Sequence, residues 1–400
     1  MPGIKGNPRG YVAWAALWGV WLASRTVIYL LATRPDLVGD IGSYQHWYEC
    51  CLSHGAFPVA DPMWQYPPGA GLVFWLPGLL PGSYLDNFGL LAIGCDLAVT
   101  VMLIARARRG GSPAGAWYWV CAGPVLGVIT DARFDVFPVA LAVAALCLPA
   151  RGWRRRPARG WARGALTGAA AVLKAWPATL LAGTPPGQWR RALGAAAAVS
   201  AAVCLAYPSA TASFLAHQGA RGVEIESVAA TAFMIWRTAG WHGTWVYRFG
   251  AWQLSGPYVT IAEDAARVCF VLGVAAVIAW SVLTARGQLR WRPEFAADAP
   301  LAATLLFLVT SPVLSPQYML WVLGLAAVCL AAGRTTQRPV AVALLAVAGL
   351  TQIVFPGQWP ELLSGSGVLI AVLVVRNVFL VAATALSWQR LLSAASSRGP

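Results

Sequence analysis

The sequence predicts an all-α protein, a polytopic bundle of transmembrane helices, from three observations. Apolar residues make up 58% of the 400 residues and charged residues only 11%, whereas a soluble domain carries about 25% charged residues. Apolar stretches of roughly 17 to 22 residues recur, each long enough to cross a bilayer as a helix. The basic residues are concentrated in short runs between these stretches. We therefore expect about ten to twelve helical segments in one integral membrane domain, residues 1–400.

The first apolar segment, near residues 11–31, follows two basic residues, as a signal peptide does, but it lacks a clear cleavage site made of small residues. We interpret it as a retained first helix. The formal net charge of +14 arises from basic runs between apolar segments and not from one continuous basic surface. Membrane topology explains this pattern better than nucleic-acid binding does. We expect membrane lipids around the chain and no nucleic-acid partner.

The distribution of charge predicts the orientation of the bundle. Basic loops mark the cytoplasmic face, and most of the 29 basic residues fall in seven clusters. These clusters are Lys5 and Arg9, Arg106 to Arg109, Arg151 to Arg163, Arg190 and Arg191, Arg286 to Arg292, Arg334 and Arg338, and Arg390 and Arg398. We therefore expect the bundle to lie in the plasma membrane with both termini on its cytoplasmic side.

The segments between those clusters are expected on the opposite, extracytoplasmic face. They hold most of the 15 acidic residues, which suggests a working surface there. They are residues 34–66, 130–135, 207–264, 311–318 and 356–361. Two apolar stretches, 66–106 and 163–190, are interrupted by prolines and are expected to form hairpins or partly re-entrant helices, because broken helices are tolerated where protein buries them.

The first outer loop, residues 32–66, is dense in acidic and aromatic residues. Asp40 is a candidate general base for an acceptor hydroxyl, and Tyr44, His46 and Tyr66 are candidate substrate-binding residues. The alternatives are that Asp40 is a solvated charge or a helix cap, and that the aromatic residues form an interfacial belt. The histidines are more often ordinary hydrogen-bonding residues than metal ligands.

Basic residues elsewhere are candidate phosphate ligands. Arg133 lies between Asp131 and Asp135 at an outer helix junction, where it either binds a phosphate or forms an internal ion pair. Lys174 interrupts an apolar helix and requires an anion or a route to the surface. Asp96, inside another apolar run, is expected to pair with a neighbouring helix.

The long outer segment, residues 207–264, holds Arg221, Glu224 and Glu226. Arg221 is a candidate phosphate ligand, and the two glutamates are candidate acceptor-binding residues; loop salt bridges are the alternative. Gln317 and Tyr318 begin a helix at the same face and are candidates for hydrogen bonds to sugar hydroxyls.

Five motifs occur in an order that resembles the family 87 glycosyltransferases, membrane enzymes of the GT-C superfamily. The resemblance covers about residues 20–330. Its motifs are Asp40 before Ser43-Tyr44, then Gln65-Tyr66-Pro67-Pro68, Lys174-Ala175-Trp176-Pro177, Arg221-Gly222 with Ser227, and Ser315-Pro316-Gln317-Tyr318 followed by Trp321. Residues 130–135 depart from the family's usual Asn-rich stretch.

The resemblance implies a GT-C-like fold with short outer-loop helices, and a hexosyltransferase that uses a polyprenyl-phosphate sugar donor, often mannose. It implies that Asp40 is the catalytic acid residue of the first outer loop and that transfer inverts the anomeric centre. The acceptor would be an envelope glycolipid or glycan. No cofactor is expected; a divalent metal stays open because Asp40, Asp61, Glu224 and Glu226 share one face, although no ligand spacing demands one.

Two other classes of protein remain as alternatives. A transporter or flippase of a lipid-linked or anionic solute would explain the intramembrane Lys174 and the charged residues 131–135. It would place its site at the midplane, reachable from both faces. A scaffold subunit of an envelope assembly would not require Asp40. The sequence has no GxGxxG or GxxxxGK[ST] nucleotide-binding motif, which agrees with a lipid-linked donor.

Overall fold

The computed structural model describes residues 8–32, 39–148 and 158–396. Part of the predicted topology therefore lies outside the described residues: Lys5, the side chain of Arg9, Arg34, the basic run Arg151 to Arg156, and Arg398.

The described residues form sixteen α-helices and two short strands. The helices are α1 (Pro8–Ala32), α2 (Gly39–Cys50), α3 (Ala70–Trp75), α4 (Tyr84–Arg108), α5 (Ala114–Leu126), α6 (Val136–Cys147), α7 (Ala158–Leu173), α8 (Trp189–Ala206), α9 (Pro208–Ala220), α10 (Thr231–Thr238), α11 (Val259–Ala285), α12 (Phe295–Thr310), α13 (Met319–Ala331), α14 (Arg338–Gln352), α15 (Trp359–Leu363) and α16 (Gly367–Ser396); the strands are β1 (Thr244–Arg248) and β2 (Ala251–Ser255).

The predicted class, a polytopic helical membrane protein, is confirmed. Six of the helices are long and apolar enough to cross a membrane, and five shorter apolar helices accompany them within the described ranges. The long ones belong to α1, α4, α8, α11, α14 and α16. The sequence did not predict the antiparallel hairpin of β1 and β2, which lies in the long outer segment. Its five-residue strands give no periodic signal against the surrounding aromatic residues.

The centre of the bundle is α13, in which twelve of 13 residues are buried. It packs among α5, α6, α12 and α14 in one apolar core. Lipid is as apolar as this core, so close packing and not exclusion from water selects the helix pairs. At the contact of α7 with α8, for example, Gly164 and Gly168 face the backbone of Ala192 and Ala196, which is the small-residue pattern that lets membrane helices approach closely.

The segments predicted to lie on the outer face come together at one end of the bundle. Asp40 forms an ion pair with Arg133, and the Gln65 side chain donates a hydrogen bond to the Phe249 carbonyl oxygen. The Trp245 indole donates to the Leu363 carbonyl oxygen at 2.9 Å, which joins the hairpin to the end of α15. These contacts build one continuous polar layer from segments that are far apart in the chain.

The two interrupted apolar stretches fold back on themselves. The hydroxyl of Tyr84, at the start of α4, donates to the Phe74 carbonyl oxygen at 2.7 Å, so α3 lies beside that end of α4. After α7 the chain breaks at Lys174 and returns as a 3-10 helix, Trp176–Gly183. The guanidinium of Arg163 donates to the Leu180 carbonyl oxygen at 3.0 Å and fixes this return beside α7.

A buried ion pair joins α1, α4 and α5. Arg25 donates to both carboxylate oxygens of Asp96, at 3.0 and 2.9 Å, and to the Val120 carbonyl oxygen at 2.8 Å. The indoles of Trp21 and Trp119 donate to the same carboxylate. Asp96 is fully buried and Arg25 nearly so. The carboxylate predicted to pair with a neighbouring helix is thus shared by three helices.

We expect Asp96→Ala to destabilise the protein strongly, because it leaves the Arg25 cation buried without its partner; such losses cost about 3–5 kcal/mol. Thermal unfolding of detergent-solubilised protein measures the effect. Glu361→Ala removes an exposed carboxylate and serves as the control. The double variant Arg25→Met, Asp96→Leu should lose less than Asp96→Ala, since it leaves no unpaired charge. Equal loss in both variants would contradict this account.

Candidate active site

A cavity of about 690 Å³ opens at the end of the bundle where the outer segments meet. Its wall is built by α2, residues 63–67, the break after α7, α9, the hairpin, α11, α12 and the start of α13. The polar or charged residues that line it are Asp40, Ser43, Tyr44, Gln65, Tyr66, Lys174, Gln218, Arg221, Tyr247, Arg267, Ser311, Ser315, Gln317 and Tyr318. The cavity therefore combines most of the residues that the sequence singled out.

Asp40 lies in the first turn of α2, where the helix dipole favours a carboxylate. Its side chain lines the cavity and is 38% exposed. One carboxylate oxygen pairs with the guanidinium of Arg133, which is itself buried and lies over the ring of Phe355 at 5.3 Å. Arg133 therefore holds Asp40 from behind, and the pair joins α2 to the junction between α5 and α6.

An aromatic cluster surrounds Tyr44, which lies one turn after Asp40 on α2. The ring of Tyr44 stacks on Phe74 with centroids 4.3 Å apart, and its hydroxyl lies 3.4 Å from that of Tyr66. Trp47, on the next turn of α2, donates its indole hydrogen to Asp61 at 2.7 Å. Burial raises the pKa of both the Tyr44 and the Tyr66 hydroxyl, so both remain neutral hydrogen-bonding groups at the base of the cavity.

Lys174 lies in the break between α7 and the following 3-10 helix and lines the cavity. Its ammonium is 2.6 Å from a carboxylate oxygen of Asp135, which also accepts a hydrogen bond from the Trp321 indole at 2.6 Å. It lies over the rings of Tyr318 and Trp321, at 4.8 and 5.1 Å from their centroids. Asp135 and these rings keep the cation at the cavity wall despite the apolar surroundings.

Arg221 reaches the cavity from the segment after α9 and pairs with Glu224. The other carboxylate oxygen of Glu224 accepts hydrogen bonds from the Leu314 backbone amide at 3.0 Å and from the Ser315 hydroxyl at 3.2 Å. Glu224 thereby connects the Arg221 motif to the motif that contains Gln317. Both Gln317 and Tyr318 line the cavity.

Four of the predicted site residues are not part of the cavity wall. His46 is exposed on the opposite side of α2. Arg133 and Glu224 are buried behind Asp40 and Arg221, whose charges they balance. Glu226 pairs with Arg376 of α16 at 3.4 Å. The geometry therefore gives Arg133 the internal ion pair that the sequence left as its alternative, and it gives the two glutamates supporting positions.

The structure also adds residues that the sequence did not assign to a site. Arg267, Phe270 and Val271 of α11 line the cavity, and so does Tyr247 of the hairpin. Arg267 is the last charge before a long apolar run, a signal that was available but that also fits the ordinary end of a membrane span. Tyr247 depends on a hairpin that the sequence did not predict. Within the described ranges, no three His, Cys, Asp or Glu side chains are grouped so as to hold a metal ion.

The model of glycosyltransferase family 87 matches residues 64–262, about half of the chain. The structure is similar to the crystal structure of ArnT from Cupriavidus metallidurans in the apo state, with a TM-score of 0.49 and 14% identity over 95% of this chain and 78% of that chain. No curated protein matches the chain significantly.

The helical bundle and the family match define a membrane glycosyltransferase of the GT-C type. Within that class the match over residues 64–262 confirms the resemblance to family 87 seen in the sequence. The matched region contains three of the motifs that carry the resemblance, at Gln65, Lys174 and Arg221.

We expect Arg133→Gln to lower kcat for sugar transfer about ten- to a hundredfold with little change in the KM for donor, because Arg133 orients Asp40 and such misplacement is costly. Arg133→Lys should recover part of the rate, since it keeps the charge. Steady-state kinetics with Arg221→Gln, which should raise the donor KM as well as lower kcat, gives the comparison. A raised donor KM with unchanged kcat in Arg133→Gln would instead indicate a direct phosphate ligand.

Proposed function

We propose that the protein transfers a sugar from a polyprenyl-phosphate donor to an envelope glycolipid or glycan, and that this sugar is mannose. The observation that carries this proposal is the composition of the cavity. One carboxylate, Asp40, shares it with three cations, Lys174, Arg221 and Arg267. A base for an acceptor hydroxyl and cations for a leaving phosphate are the groups that such a transfer requires.

The shape of the cavity supports a lipid-linked donor. Its side wall between α9 and α11 is apolar and is formed by Phe214, Leu215, Phe270, Val271 and Phe307. Leu215 and Val271 are 63% and 65% exposed although they line the cavity. Because α11 is a candidate membrane span, this wall faces lipid. A donor tail can lie there while its phosphate sugar occupies the polar part.

In the proposed reaction Asp40 accepts the proton of the acceptor hydroxyl as that oxygen forms a bond to the anomeric carbon. The bond from the anomeric carbon to the phosphate oxygen breaks, and the phosphate leaves with the electron pair. Lys174 and Arg221 stabilise the negative charge that develops on the phosphate. Gln317 and Tyr318 hydrogen-bond to sugar hydroxyls, and the neutral hydroxyls of Tyr44 and Tyr66 contact the acceptor. A single displacement of this kind inverts the anomeric centre.

The charge distribution supports an extracytoplasmic site in the plasma membrane. Basic clusters at Arg106, Arg190, Arg286 and Arg334 lie at helix ends and in loops at the opposite end of the bundle from the cavity. Basic loops face the cytoplasm, so the cavity faces outward. In this orientation the donor is presented from the outer leaflet, and both termini are cytoplasmic.

The packing favours transfer over transport. A transporter requires a midplane site reachable from both faces. The cavity is lined by outer segments and adjoining helix turns, and below it α13 is closely packed along its length. A scaffold role would leave Asp40 dispensable, which the following experiment decides.

Membranes that contain the wild-type protein should transfer radiolabelled mannose from polyprenyl-phosphate mannose to lipid or polymer, and Asp40→Asn should lower that rate about 10²- to 10⁴-fold, because it removes the base. GDP-mannose should not replace the lipid donor in purified protein. Rates are compared at equal protein abundance.

Glu49→Gln is the matched control, since Glu49 is an exposed carboxylate on the same helix that does not line the cavity. It should transfer at the wild-type rate. Undiminished transfer by Asp40→Asn would remove the catalytic role of Asp40. Wild-type protein that transfers no sugar from any polyprenyl phosphate, but moves such lipids across vesicle membranes, would favour the flippase class.

A further inference from the structure

Arg267 has an unusual position for a charge on a membrane helix. It lines the cavity, but it stands on α11 beside Phe270 and Val271, the residues of the apolar side wall. These residues are three and four positions further along the helix, so all three lie on one face. The same face of α11 therefore carries a guanidinium near the start of the helix and apolar side chains one turn further along it, at the side opening of the cavity.

The sequence of α11 places Arg267 at the depth of lipid phosphates. Residues 268–285 carry no charge, and Arg286 follows them. A helix over those residues is about 27 Å long, close to the ~30 Å thickness of the hydrocarbon core. Arg267 and Arg286 then mark the two surfaces of the bilayer. On the cavity side of the protein, Arg267 is the charge at the boundary between hydrocarbon and headgroups.

The present partners of Arg267 leave it available to a ligand. Its guanidinium lies 3.0 Å from Asp264 and 3.9 Å from Glu263, both on the preceding turn. The side chain of Arg267 is 55% exposed and that of Asp264 is 74% exposed. Solvent-exposed pairs of this kind contribute little, so a phosphate can replace them. Lys174 and Arg221, by contrast, have buried acidic partners.

We propose that Arg267 binds the phosphate of the lipid-linked donor at the side opening, before the donor moves inward to Lys174 and Arg221. This inference rests on the proposed function. Arginine suits the role because its planar guanidinium binds phosphate oxygens in pairs and is always charged. Phe270 and Val271, one turn deeper, contact the first part of the apolar tail. Arg267 thus positions the donor and takes no part in the bond changes.

The test is equilibrium binding of a fluorescent polyprenyl monophosphate, without sugar, to the full-length protein in nanodiscs of neutral lipid. Arg267→Gln should weaken binding about tenfold, since it removes a charged hydrogen-bond donor. Arg267→Lys should retain most of the affinity, and Arg286→Gln, at the other end of the same helix, should bind as wild type. In transfer assays Arg267→Gln should raise the donor KM by a similar factor with kcat unchanged.

The other outcomes separate the possible failures. Wild-type affinity in Arg267→Gln would overturn the role of Arg267 and leave the proposed function intact. No binding of the probe by wild-type protein would overturn the donor class itself, and this inference with it. Phosphatidylglycerol is then added to the nanodiscs, or inorganic phosphate to the buffer, as a competitor of the probe. If either one displaces the probe as effectively as unlabelled polyprenyl monophosphate does, Arg267 binds any phosphate, which also overturns donor selection.

Discussion

The structure depends on the cost of placing a charge where lipid and not water surrounds the protein. An isolated charge in hydrocarbon is expensive, so interior charges must find partners within the protein. Here the partners come from distant segments. Arg25 and Asp96 fix three helices to one another, and Arg376 of α16 holds the outer segment through Glu226. Asn377 adds hydrogen bonds to the Glu226 and Ser227 carbonyl oxygens of that segment. Helix packing alone would leave the rotation of these helices poorly specified, because lipid and protein interior are equally apolar.

The same constraint gives the cavity its arrangement. Three of the charged groups at the cavity wall have a buried charge of opposite sign behind them: Arg133 behind Asp40, Asp135 behind Lys174, and Glu224 behind Arg221. The supporting charge keeps the working charge in the protein before a substrate arrives. It also orients that charge, which is what preorganised stabilisation of a transition state requires. In the proposed mechanism, Asp40 is the acidic residue of the outer segments that meets substrate, whereas Asp135 and Glu224 hold the cations.

Much of this arrangement could be predicted from the sequence, because length, apolarity and charge clusters are local signals. The helical class and the shared end of the outer segments follow from them, and seven of the candidate site residues that the sequence named line the cavity. What could not be predicted is which charge pairs with which. Asp40 and Arg133 are far apart in the chain, and nothing local distinguishes an arginine that binds phosphate from one that holds a carboxylate. The same holds for Glu226, whose partner Arg376 lies in the last helix. The hairpin at Thr244–Ser255 was missed because strands of five residues carry little periodicity.

The family motifs make physical sense as helix breaks. Tyr66 precedes Pro67 and Pro68, Lys174 lies three residues before Pro177, and Gln317 follows Pro316. Proline cannot continue a helix from within, so each motif ends or begins a helix and leaves backbone polar groups that lipid cannot satisfy. Such a break is tolerated only where protein or a water-filled cavity surrounds it. The breaks must therefore gather in one place, and the polar side chains beside them gather as well. A cavity at the end of a membrane bundle is thus the location where irregular backbone is permitted and where fixed cations can meet a phosphate.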